Sequence, residues 1–201
     1  MPLLVVVAGP NGSGKTTLVQ SGALAPAFAL PALSINADDI ARSLAGDRQP
    51  NPEESLRAAQ IADARLDASI ASGSDVLIET VLSSDKFKQR VLTAKRAGFE
   101  FILVYVTVLL ETVNVGRVAE RVELGGHPVP VDRILARRQR SHAMFEWFSQ
   151  AADKVLMFDN SASAAVLSAI KDESGWAEVQ LHRLPPDLGA IVQRLAVRDS
   201  H

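Results

Sequence analysis

Residues Gly9-Pro10-Asn11-Gly12-Ser13-Gly14-Lys15-Thr16 have the spacing of a phosphate-binding loop, in which two glycines bracket four residues and a lysine and a hydroxyl residue follow. Glycine lets successive backbone N–H groups turn inward on a phosphate. The Lys15 ammonium can reach the β and γ phosphates of a nucleoside triphosphate, and the Thr16 hydroxyl can hold Mg²⁺. The alternative, an ordinary glycine turn, lacks the flanks that this loop has. The apolar run Leu3-Leu4-Val5-Val6-Val7-Ala8 leads into it, and Lys15-Thr16-Thr17-Leu18-Val19 leaves it as a helix would.

Such a loop binds a triphosphate without saying what becomes of the γ phosphate. Neither the N-K-x-D element of guanine-reading switches nor an LSGGQ-like transporter signature occurs in the chain, and no apolar strand ends in a clear metal-binding aspartate; Val76-Leu77-Ile78-Glu79 comes nearest. These absences favour a kinase in which a substrate hydroxyl attacks the γ phosphate. A nucleotide-binding ATPase or switch module that reports to a regulatory partner is the alternative. A kinase needs a carboxylate beside the acceptor hydroxyl and cations on the transferring group. Asp38 and Asp39 follow a strand end, where ligands bind in parallel α/β sheets; one of the two is expected to cap the next helix and the other to do chemistry. Glu79, with Thr80 after it, ends another strand at the same edge. Arg117 and Arg121, four residues apart, share a helix face, although Glu120 and Glu123 offer them simple ion pairs. Gly125-Gly126-His127-Pro128-Val129-Pro130 reads as a hinge ahead of a basic helix carrying Arg133, Arg137, Arg138 and Arg140. Phe145, Trp147, Phe148 and Met144 surround one turn of that helix, which suits packing better than base stacking, so no nucleic-acid partner is expected.

The elements that must position these groups alternate strand and helix, the pattern of an α/β fold with a parallel sheet covered by helices on both faces. Strands are expected over residues 3–8, 33–36, 75–79, 99–108 and 154–159, the last closing the sheet. Helices are expected from Lys15, from Asp38, from Pro52 to about Ala71, over 84–97, over about 111–124 and over about 132–151. Residues 111–151 read as a lid. The C-terminal extension, 162–201, reads as a hairpin of 164–170 with 177–182 and then a helix to about Val197.

With 201 residues, 47% hydrophobic and 22% charged, the chain suits one soluble domain spanning 1–201, and a net charge of −2 sets up no field to gather nucleic acid or anionic lipid. The absence of cysteine excludes disulfides, thiol catalysis and cysteine-ligated zinc. Residues 3–8 lack the basic flank of a signal peptide, and the apolar stretch 99–110 is broken by Glu100, so neither a leader nor a membrane span is expected and the cytoplasm is the expected compartment.

In order, Gly9 to Thr17, Asn36-Ala37-Asp38-Asp39-Ile40-Ala41, Ile78-Glu79-Thr80, Arg117 to Arg121, Gly125 to Pro130, Arg137-Arg138-Gln139-Arg140-Ser141 and Phe158-Asp159-Asn160-Ser161 resemble the zeta-toxin family, over about residues 3–161. Characterised members of that family are kinases that phosphorylate the 3′-hydroxyl of the amino sugar in UDP-N-acetylglucosamine. The resemblance implies ATP and Mg²⁺ bound by Gly9–Thr17, with Lys15 and Thr16 on the phosphates and the metal. It implies Asp39 as the base on the acceptor hydroxyl, Arg121 on the transferring phosphate, and Glu79 holding the acceptor sugar, with Asp38, Thr80 and Arg117 around it. The family's second phosphate-binding arginine has no direct match. It falls near His127, with Arg133, Arg137 and Arg138 as substitutes. The partner implied is a nucleotide sugar or another hydroxylated metabolite; no antitoxin partner is visible in the sequence.

Overall fold

A computed structural model describes residues 1–123 and 129–199. Seven strands among these form one sheet in the order β2-β3-β1-β4-β5-β6-β7: β1 Leu3–Ala8, β2 Ser34–Asn36, β3 Val76–Thr80, β4 Glu100–Thr107, β5 Lys154–Asp159, β6 Val166–Asp172 and β7 Gly175–Ala177. The first five are parallel; β6 and β7 are antiparallel additions. Parallel strands end on one edge, and register decides which ends meet. Ala8 pairs with Thr80 and Asn36 with Glu79, so the loop after β1, the segment after β2 and the acid ending β3 converge.

The central strands are apolar throughout because both faces are covered. On one face Leu4, Val6, Tyr105 and Met157 meet α3 (Pro52–Ser72), α4 (Lys88–Arg96), α6 (Val131–Ala151) and α7 (Pro186–Asp199). On the other, Val5, Val7, Val104 and Val106 pack against Leu18 of α1 (Lys15–Gln20), Leu24 and Phe28. The start of α3 is set by its own sequence: Asn51 and Glu54 form a reciprocal capping box around Pro52.

Four expectations change. The strand 154–159 does not close the sheet, since the hairpin adds two strands beside it. Its second arm is only Gly175–Ala177, because Glu178 takes a positive φ and residues 181–183 coil into a 3₁₀ turn. The helix expected over 84–97 begins as a 3₁₀ turn at Asp85–Phe87. Finally, the helix that ends the expected lid packs one side into the core: α6 buries Ile134, Arg138, Ser141, His142, Phe145 and Phe148 along its length. The hinge around Gly125, Gly126 and His127 lies outside the described residues.

Candidate active site

The loop after β1 is shaped by backbone that only glycine tolerates. Gly12 and Gly14 have φ of 72° and 89°, and an added Cβ would come within 2.5 Å of the Asn114 carbonyl and 2.0 Å of Asn160 Nδ2 respectively. Gly14 is the residue from which α1 starts. Lys15 folds back under the loop and donates to the carbonyls of Gly9 (2.9 Å) and Pro10 (3.1 Å). Burial of its ammonium pushes its pKa down to about 8, against the opposing pull of Glu79 and then Asp38; Arg121 adds slightly to the lowering. Residues from two strand ends and two helices thus act on one lysine.

Beside the loop lies a cleft of about 610 Å³ lined by Asn11, Gly12, Gly14, Lys15, Thr16 and Thr17, and across it by Asn36, Asp38, Glu79, Thr80, Arg117, Arg121 and Arg137. Thr16 Oγ1 donates to Glu79 Oε2 at 2.7 Å. This carboxylate reaches the loop from β3, the strand beside β1. Arg121, on α5 (Glu111–Glu123), faces Asp38 at 3.7 Å across the mouth. Arg117, one turn earlier, also lines the cleft and has a buried Nη1 without a hydrogen-bond partner, as do Asn11 Oδ1 and Ser13 Oγ in the loop. Leaving a buried polar atom unpaired costs about 1–3 kcal/mol.

The two adjacent aspartates part company here. The cap of α2 (Ala37–Ala45) is neither of them but Asn36, whose side chain accepts from the Asp38 N–H at 2.9 Å. Successive helix positions differ by about 100°, so when Asp38 faces the cleft Asp39 faces away. Asp39 pairs with Arg42 on the exposed side of α2 and does not line the cleft. The expectation that places Asp39 at the cleft is therefore corrected: Asp38 lines it and Asp39 does not. Arg133 is exposed on α6 and away from the cleft, whereas Arg137 reaches it. Arg138 is buried, with burial lowering its pKa, and serves the loop from behind rather than the cleft. His127 lies outside the described residues.

Several contributors were not legible. Asn114, fully buried on α5, and Asn160 after β5 both bond the loop's backbone. Ser141, in the Arg137–Ser141 motif, donates to the Val81 carbonyl (2.6 Å) and accepts from the Tyr105 hydroxyl (2.8 Å), fixing the cleft wall after β3 from beneath. There Leu82 holds a positive φ of 55°. Only the presence of asparagine in the Asn160 motif hinted at this; nothing in the sequence marked Asn114.

The AAA domain family matches this chain over residues 4–145. An uncharacterized protein of Haemophilus influenzae is 30% identical over 130 residues, 64% of this chain and 87% of that one. Among solved structures, the fold resembles that of a chain from the PezAT chromosomal toxin–antitoxin system of Streptococcus pneumoniae, with a TM-score of 0.65, 15% identity, and coverage of 98% of this chain and 79% of the other. It also resembles a chain of the AvrRxo1-ORF1:-ORF2 complex with ATP, with a TM-score of 0.61, 17% identity, and coverage of 98% and 64%. At such identities the shared property is the fold alone. Among the described residues no helix is long and apolar enough to cross a membrane.

Proposed function

The chain belongs to the AAA domain family, and from that premise we propose that it is an ATP-dependent phosphotransferase acting on a hydroxyl of a small molecule. The observation that carries this reading is Asp38: a largely exposed carboxylate, close enough to act on the charge of Lys15, paired with Arg121 across an open cleft. A module that only binds a nucleotide has no need of a carboxylate on the far wall. A kinase uses one to orient the acceptor and take its proton.

In this reading the loop Gly9–Thr17 holds the triphosphate of ATP with its N–H groups and Lys15. Asp38 accepts the hydroxyl proton as the acceptor oxygen bonds to the γ phosphorus and the bond to the β-bridging oxygen breaks, leaving ADP. Arg121 and Arg117 face the charge on the transferring group. Thr16 Oγ1 and Glu79 Oε2, hard oxygens 2.7 Å apart beside the loop, fit the donor set of Mg²⁺. When bound there it would neutralise charge on the β and γ oxygens. Thr80, Arg137 and the Val81–Ser84 wall border the acceptor space. The motif resemblance to zeta toxins makes a nucleotide sugar such as UDP-N-acetylglucosamine the first acceptor to offer. The likeness in fold to a toxin–antitoxin chain supports that choice.

The test is incubation with labelled ATP and a pool of nucleotide sugars and other hydroxylated metabolites, followed by mass spectrometry for the gain of one phosphate. Transfer should be lost in Asp38→Asn with ATP binding retained, and kept in Asp39→Asn. Hydrolysis of ATP with no phosphorylated acceptor in any pool would favour the ATPase or switch reading instead.

A further inference from the structure

Phosphate loops work by aiming backbone N–H groups, and a glycine-rich loop has little stiffness of its own with which to aim them. Two side-chain amides grip this loop from outside the cleft. Asn114 Nδ2 donates to the Asn11 carbonyl at 2.8 Å, and Asn160 Nδ2 donates to the Ser13 carbonyl at 2.8 Å. In a trans peptide the carbonyl and the following N–H point in opposite directions, and among the described residues no peptide bond is cis. Fixing the Asn11 and Ser13 carbonyls outward therefore turns the N–H groups of Gly12 and Gly14 the other way. Asn11, Gly12 and Gly14 line the cleft, and neither Asn114 nor Asn160 does.

Asn114 is itself held. Arg138, 6% exposed, donates from Nη1 to Asn114 Oδ1 at 2.7 Å, and from Nη2 to the carbonyls of Val108 (2.8 Å) and Leu109 (3.2 Å). With its oxygen taken by the guanidinium, the Asn114 amide can present only its N–H₂ to the loop. Asn160 is fixed at the end of β5, where its N–H donates to the Thr107 carbonyl at 2.8 Å. The close approaches are the Asn114 backbone at Gly12 and the Asn160 side-chain amide at Gly14, so the missing Cβ atoms let both residues sit against the loop.

We propose that Asn114, braced by Arg138, and Asn160 are positioning residues that aim the Gly12 and Gly14 N–H groups at the nucleotide's phosphates. The proposal rests on the ATP-binding reading above and adds to it the source of the loop's preorganisation. Misaiming such donors by a fraction of an ångström to an ångström costs on the order of ten- to a hundredfold in the interaction they make.

Two variants separate aim from charge and from folding. Asn114→Asp keeps the acceptor for Arg138 but sets a carboxylate against the Asn11 carbonyl; Asn160→Leu removes the other donor without adding charge. Each is titrated with a fluorescent ATP analogue and with inorganic triphosphate, and the ligand-free proteins are melted alongside. Both variants should bind both ligands about tenfold or more weakly, with melting temperatures within a few degrees of the parent. Wild-type affinity in Asn160→Leu, weakening in Asn114→Asp alone, or weakening only in step with lost stability would overturn the proposal while leaving ATP binding standing. A parent protein that binds neither ligand would overturn both readings.

Discussion

Lys15 gives the site a proton linkage that can be worked out in advance. Its ammonium is held under the loop with a pKa of about 8, burial outweighing the attraction of Glu79 and Asp38. Because the shift is downward for a base, the free protein loses the Lys15 charge as pH rises through 8, well before an ordinary lysine near ~10.4 would. A triphosphate laid on the loop brings several negative charges to within contact distance. One unit charge at ~4 Å is worth ~4 kcal/mol at an effective dielectric of ~20, enough to return the proton. Binding should then take up about 0.1 proton at pH 7, about 0.5 at pH 8 and about 0.9 at pH 9, and apparent affinity should fall roughly tenfold from pH 7 to pH 9. The phosphate's own last proton is gone above ~6, so it adds little to this window. Isothermal titration of Mg-ATP in two buffers of different ionisation heat measures the uptake directly. Lys15→Arg, always charged, should bind with no uptake. Uptake that is flat from pH 7 to 9, or that survives in Lys15→Arg, would refute the assignment of this lysine to the phosphates.

Two further outcomes follow from the buried polar groups around the site. Tyr105→Phe leaves Ser141 without its donor beneath the Val81 wall and should cost about 1 kcal/mol in urea unfolding, with no change in ATP affinity, because the lost bond lies on the acceptor side. The His142 Nδ1 hydrogen bond to Asp187 at 2.5 Å ties α7 to α6 and lowers the Asp187 pKa. A depressed carboxylate stabilises the fold above its unfolded pKa of ~3.9 and loses that contribution as pH falls through the folded value. Asp187→Asn should therefore melt below the parent at pH 7, with the gap closing toward pH 3; a gap independent of pH would refute the pairing.

What could be read in the chain was whatever is encoded within a short stretch of it. The loop Gly9–Thr16 with its strand and helix, the start of α3 at Pro52 and the continuous apolar strands each depend on residues a few positions apart, and each stands where expected. The convergence of Lys15, Asp38 and Glu79 was legible too, because parallel strands must end on one edge; Arg117 and Arg121, on a helix, were placed there by the family resemblance.

The side of α2 that faces the cleft was decided only in three dimensions. Spacing fixes the angle between Asp38 and Asp39 but not the rotation of their helix against the sheet, which Asn36 and the packing of Ala41 and Ala45 set. The same holds for the basic stretch of α6. Within Arg133-Arg137-Arg138 one arginine is exposed, one reaches the cleft and one is buried behind the loop, a division made by the apolar stripe Ile134, Phe145 and Phe148 turning into the core. Bonds such as Thr16 to Glu79, Asn114 to Asn11 and Asn160 to Ser13 join residues 63, 103 and 147 positions apart. Local periodicity orients residues within an element; the phase between elements comes from packing, and in this chain that phase selects which polar side chains meet the phosphate loop.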